Sequence, residues 1–177
     1  LALLNEHWNV VREGNFRAVN VIGDAGLGKS RLIFEFTESL RDQHVVLLEA
    51  ICRQEGTAMP FQPLTEVMRS WFGLMEEGAS RDEIEAKLKQ GLELFKLDSE
   101  ASLPYLVNLL AGFGGHLGAI PASELVGVRT REALRNLILS VCRLGKPVVM
   151  VVEDLHWVDS ATQAVLDDMA VTDLRAR

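Results

Sequence analysis

The segment Gly23-Asp24-Ala25-Gly26-Leu27-Gly28-Lys29-Ser30 carries glycine, lysine and serine in the spacing GxxxxGK[ST]. Glycines without a Cβ let the main chain wrap closely round an anion, and successive N–H groups then form a concave donor surface. A helix starting near Gly28 adds about half a positive charge at its N-terminus, directed at the same anion. Lys29 is spaced to reach the β and γ phosphates of a nucleotide. Ser30 offers a small neutral oxygen to Mg²⁺, an ion that keeps several waters and takes few protein ligands. The expected nucleotide-binding set is Gly23, Asp24, Ala25, Gly26, Leu27, Gly28, Lys29, Ser30 and Arg31, in which Asp24 and Leu27 need only fit the loop.

A second group of chemistry-bearing residues stands near the other end of the chain. The run Val148 to Val152 delivers Glu153 and Asp154 to the carboxyl end of an apolar strand, the edge at which open parallel sheets place their ligands. Glu153 is expected to hold the hydration shell of Mg²⁺, and Asp154 to orient or deprotonate an attacking water. Lys29, Glu153 and Asp154 are therefore the catalytic candidates, and Ser30 and Glu153 the metal-holding ones. The competing reading of the acidic pair is a helix cap or a solvated turn. His156 and Trp157 have neither a metal-ligand spacing nor a nucleophile beside them and read as packing, with a γ-phosphate or partner-sensing His156 as the alternative. Asp159 or Ser160 reads as a helix cap, and Trp71 and Phe72 as core.

These residues need strands and helices to position them. Leu1, Leu4, Trp8 and Val11 recur at the helical period up to Gly14. Ala18 to Ile22 reads as a strand ending at the phosphate loop, followed by a helix from about Gly28 to Gln43. His44 to Ala50 and Pro147 to Val152 are continuous apolar runs of strand length, which implies burial on both faces. Between them helical periods appear at Leu64 to Leu74, Ile84 to Phe95, Leu103 to Leu110 and Leu125 to Leu144. Pro60, Pro63, Gly73, Gly78, Pro104, Pro121 and the stretch Gly112 to Gly118 are expected to punctuate those helices.

Composition bounds the class of function. With 48% apolar and 24% charged residues, the 177-residue chain can bury one sizeable core and is neither disordered nor of low complexity. A net charge of −7 opposes a phosphate backbone, which excludes nucleic-acid binding by bulk electrostatics but not the capture of one nucleotide. Cys52 and Cys142 form no CxxC pair and read as buried, reduced thiols of a cytoplasmic protein. No apolar run approaches the ~18 residues of a membrane-spanning helix and the first residues do not show the charged-then-apolar pattern of a signal peptide, so a soluble, intracellular chain is expected.

Three stretches carry a resemblance: IGDAGLGKSRLIFEF over residues 22–36, PFQPLTEVMRSWFG over 60–73 and, most distinctively, VVMVVEDLHWVDSATQAVL over 148–166. They resemble the AAA-like, STAND-type P-loop ATPase domain of LuxR-type transcriptional regulators and of proteins that join it to adenylate or guanylate cyclase or serine/threonine kinase domains. The resemblance implies an α/β, three-layer αβα P-loop NTPase fold with a parallel sheet, of which the residues present are expected to supply about three strands, with an all-helical insert between strands 2 and 3. It implies ATP and Mg²⁺ as ligands, a C-terminal effector domain as partner, and a nucleotide-dependent homo-oligomer, without nucleic-acid or membrane contact by this segment. Residues 1–177 are expected to form a single, truncated domain, with a nucleotide-binding core over 1–52 and 146–177 and the insert over 53–145. The chain departs from the family in ending its acidic strand Glu-Asp where AAA-type proteins often have Asp-Glu. A further strand, a polar sensor, an arginine and a winged-helix lid are not found, so the chain is expected to hold the phosphate and Mg²⁺ half of a site. The ATPase reading competes with a binding switch of negligible turnover, a small-molecule kinase and an inactive interaction fragment.

Overall fold

The computed structural model describes residues 1–54, 59–74, 78–97, 99–112, 124–143 and 145–171. Along the chain run α1 (Ala2–Arg12), α2 (Lys29–Leu40), β1 (Val46–Ile51), α3 (Gln62–Trp71), α4 (Arg81–Leu94), α5 (Ser99–Gly112), α6 (Glu124–Cys142), β2 (Val148–Glu153) and α7 (Ser160–Val171), with a single 3-10 turn at Leu155–Trp157 before α7. β1 and β2 pair in parallel, in a register running from Val46 opposite Val148 to Ile51 opposite Glu153. The chain is thus α/β, with helices on both faces of a small parallel sheet.

Side-chain alternation along the strands decides which helix meets which face. Leu48 and Ala50 of β1 are buried with Val67 of α3, and Val148, Met150 and Val152 of β2 pack against them. On the opposite face Val149 packs with Val45 against a cluster formed by Leu4 and Trp8 of α1 and Phe36 and Leu40 of α2. Trp8 buries its ring and donates its indole N–H to Gln43 Oε1 at 2.8 Å, which ties α1 to the chain just past α2. The main core is helical: Leu64, Ile84, Leu88, Leu92, Leu106 and Leu137 meet in it, and Val165 and Met169 of α7 join them. No helix among the described residues is long and apolar enough to cross a membrane.

Several expectations are corrected. Residues 15–24 form no regular secondary structure, so Ala18 to Ile22 is not a strand, and the sheet among the described residues has two strands rather than three. Val19 is 39% and Ile22 90% exposed, so the segment gains neither a ladder nor a buried face, and nothing offsets the entropy of straightening it. β1 is buried on one face only. Leu47, Glu49 and Ile51 face solvent, because α1 and α2 reach the sheet through Val45 and Val149 rather than through β1 itself. Pro104 lies inside α5 instead of ending a helix. As the sixth residue of that helix it forfeits one main-chain bond, while Leu103, Leu106 and Leu110 are buried around it. Gly73 and Gly78 do interrupt helices, both at positive φ. The expected breaks at Gly112 to Gly118 and Pro121 lie outside the described residues beyond Gly112.

Trp71 and Phe72 pack against the main core as expected, with ring centroids 5.8 Å apart and Phe95 5.0 Å from Trp71. Phe72 lies directly on Gly91 of α4, where a Cβ would stand 2.2 Å from its Cε1. Gly91→Ala therefore sets two effects against each other. Helix propensity favours alanine by about 1 kcal/mol, and overpacking costs about 1–3 kcal/mol because Phe72 is held by its aromatic neighbours. We expect a net loss, read as a lower urea midpoint at unchanged slope; a midpoint at or above wild type would contradict the packing described.

Candidate nucleotide site

The loop that leads into α2 is shaped by two glycines. Gly26 and Gly28 have φ of 82° and 83°, and nothing lies within 4 Å of where their Cβ atoms would be, so their need for glycine is conformational rather than steric. At Gly23 the space itself is limited, since a Cβ would meet Leu27 Cδ1 at 3.3 Å. Leu27 N–H donates to the Asp24 carbonyl at 3.4 Å and closes the turn. Gly28 is the N-cap of α2 and supplies no side chain, and the first turn has no acidic residue. The amides that open α2 thus have no capping side chain and, with the helix dipole, suit an anion.

Lys29 folds over this loop. Its ammonium donates to the carbonyls of Gly23 and Asp24, both at 2.9 Å. Ser30, one residue on, donates its hydroxyl to Glu153 Oε2 at 2.8 Å across 123 positions of sequence. Glu153 reaches that point because β2 pairs with β1 to its last residue, and its carbonyl accepts the Cys52 N–H at 3.0 Å. The glycine-rich loop before α2 and the acidic strand end therefore meet at the carboxyl end of the sheet.

Asp154 follows at once, exposed and in the left-handed region at φ 53°, with its carbonyl accepting the Trp157 N–H at 2.8 Å. The polar residues of the loop, Asp24 and Ser30, are exposed, and Leu27 is 71% exposed at its tip. Arg31 pairs with Glu35 one turn along α2 and lies over the Phe34 ring at 5.7 Å from its centroid. Two small, solvent-accessible oxygens within hydrogen-bond distance, one hydroxyl and one carboxylate, are the donor set that a Mg²⁺ holding most of its waters requires. Ser30 and Glu153 fit that ion. Among the described residues no cluster of three or more His, Cys, Asp or Glu has metal-binding geometry, so no all-protein cage competes with this pair.

Other residues singled out in the sequence take different places. His156 is exposed rather than packed into the interior, its ring 5.0 Å from that of Trp157. Cys52 is buried beside the site; burial, and then the negative charges of Asp159, Asp154 and Glu66, raise its thiol pKa and keep it protonated. Cys142 is raised by burial as well. Both cysteines are free thiols. Asp159 does cap α7: its Oδ1 accepts the N–H groups of Ala161 at 3.1 Å and Thr162 at 2.8 Å. Sequence reasoning missed that the same oxygen accepts the N–H of Phe61 at 3.0 Å, across 98 positions. The local signal, a short side-chain oxygen just before a helical run, announces the cap but not the remote partner.

The sequence model of the AAA ATPase domain family matches residues 1–174. A protein of Rhizobium meliloti (strain 1021), itself uncharacterized, is 28% identical over 174 residues. The alignment covers 96% of this chain but 16% of that protein, so the chain spans about a sixth of the length of its relative. No solved structure gives a significant match. The chain belongs to the AAA ATPase domain family, whose fold is the P-loop αβα sandwich.

Proposed function

We propose that this chain binds ATP with Mg²⁺ between the loop 23–30 and the end of β2, and hydrolyses it as the regulatory ATPase module of a larger signal-transduction or transcriptional regulator. The observation that carries the reading is the 2.8 Å contact between Ser30 Oγ and Glu153 Oε2, which joins two motifs far apart in sequence in one site. The likeness of residues 148–166 to LuxR-type and cyclase-associated ATPases supports the regulatory part. An effector domain and a nucleotide-dependent homo-oligomer belong to this proposal.

Each group then has a task. The amides at the start of α2 and the glycine-rich turn hold phosphate oxygens. Lys29 exchanges its contacts with the Gly23 and Asp24 carbonyls for the β and γ phosphates and offsets their charge. Mg²⁺, when bound, neutralises charge on the β and γ oxygens. Ser30 and Glu153 supply its protein oxygens. Asp154 orients a water for in-line attack on the γ phosphorus and accepts its proton as the bond to the ADP oxygen breaks, giving ADP and phosphate.

A second reading, a nucleotide-binding switch with negligible turnover, is favoured by the Glu-Asp order and by the left-handed backbone of Asp154, which carries the shorter side chain where a base is needed. Asp154→Asn separates the two. If Asp154 is the base, phosphate release falls by about 10²–10⁴-fold while ATP affinity is retained. Equal phosphate release from wild type and variant would reject that role.

A further inference from the structure

We propose that Asp159 is a positioning residue that couples the Mg²⁺-holding end of β2 to the helical layer, so that its carboxylate controls turnover without touching nucleotide. The proposal rests on the nucleotide reading above. Asp159 is 4% exposed and its carboxylate accepts four hydrogen bonds: from the N–H groups of Phe61, Ala161 and Thr162 on Oδ1, and from the Thr162 hydroxyl at 2.6 Å on Oδ2. A helix cap needs the two local amides alone. The bond to Phe61 is extra, and it joins the starts of two helices that pack in one core.

Phe61 shows what that bond holds. It is the N-cap of α3 in the left-handed region at φ 63°, 3% exposed, and it contributes no side-chain cap. A bulky side chain persists in that conformation only where its surroundings over-determine it. Here the Phe61 carbonyl accepts Thr65 N–H at 2.9 Å and Thr65 Oγ1 at 2.8 Å, while its N–H goes to Asp159. On the other side, the chain from Glu153 to Asp159 is short and internally bonded, through Trp157 N–H to the Asp154 carbonyl at 2.8 Å and Val158 N–H to the Leu155 carbonyl at 3.1 Å. A displacement of Glu153 caused by ligand at Ser30 therefore passes into Asp159 and on to the first turn of α3. By the same connection α3 constrains where Glu153 stands.

Two substitutions separate this role from plain capping. Asp159→Ser keeps an oxygen for the α7 amides, as serine does at many N-caps, but its single, shorter side-chain oxygen gives up the bond to Phe61. Asp159→Asn keeps an acceptor in the place of Oδ1. The experiment is hydrogen exchange of the full-length protein with and without Mg²⁺ and a nonhydrolysable ATP analogue, together with steady-state ATP turnover. In wild type the analogue is expected to slow exchange in the peptides covering 23–31 and 61–66. Asp159→Ser should retain the first effect and lose the second, with turnover number down roughly tenfold at little changed KM, the mark of lost transition-state positioning rather than lost binding. Asp159→Asn should restore both. If 23–31 ignores the analogue in wild type, the nucleotide reading fails and takes this proposal with it. If 23–31 responds but 61–66 does not, or if Asp159→Ser turns over like wild type, the coupling alone is overturned. An absent response at 61–66 in wild type overturns the coupling even where the serine variant does not fold.

Discussion

Lys29→Ala is expected to weaken binding of Mg-ATP by about a hundredfold or more. The ammonium lies across the mouth of the loop, 2.9 Å from two carbonyls, and a phosphate arriving there would take over at least part of that contact. Hydrogen bonds with a charged partner contribute about 1.5–3 kcal/mol each, so the loss of one or two reaches about 3 kcal/mol, which is roughly two powers of ten in affinity. Stability without nucleotide should hardly change, because α2 is anchored by Phe36, Thr37 and Leu40 rather than by its first turn. Titration calorimetry of both proteins checks the affinity. A variant that binds as tightly as wild type would remove Lys29 from the site.

Glu153→Gln isolates charge from shape. The amide is nearly isosteric and its oxygen can still accept the Ser30 hydroxyl, so the contact between α2 and β2 and the fold itself should persist. What disappears is the anionic oxygen next to that hydroxyl. ATP should still bind through the loop and Lys29, but the tightening produced by Mg²⁺ should be lost. Turnover should fall by about 10²–10³-fold, the range found when one group that stabilises transition-state charge is removed. Nucleotide titrations with and without Mg²⁺, paired with phosphate release, read both effects. Retained Mg²⁺ dependence would assign the metal to another residue.

Much of the site was legible because its chemistry depends on residue types at fixed spacing. The candidate phosphate loop can be read from Gly26, Gly28, Lys29 and Ser30, and the structure places those glycines at the positive φ that the residue type permits. Ser30 and Glu153 could be joined in advance only because an apolar strand, half-buried in the structure, delivers its last residue to the carboxyl edge of a sheet. The helices of 62–142 followed from their apolar period, to within a few residues at their ends. Ala18 to Ile22 failed because an apolar, β-branched run states a preference, whereas a strand also needs a partner edge and a covering layer. β1 failed in part for a related reason, since Leu47 and Ile51 are apolar yet 37% and 44% exposed on the face they share with Glu49, and apolar residues alone do not say how far the opposing helices extend. The link from Asp159 to Phe61 was invisible because nothing local encodes a hydrogen bond to an amide 98 positions away.

The most direct test of the central claim is a thermal melt with and without Mg-ATP, run on wild type and on Lys29→Ala. At a hundred times the dissociation constant, a ligand that binds only the folded state adds about 2.7 kcal/mol, which for a chain of 177 residues raises Tm by roughly 5–10 °C. The account predicts that rise in wild type and little or none in the variant. No rise in wild type, or the same rise in both, would contradict it.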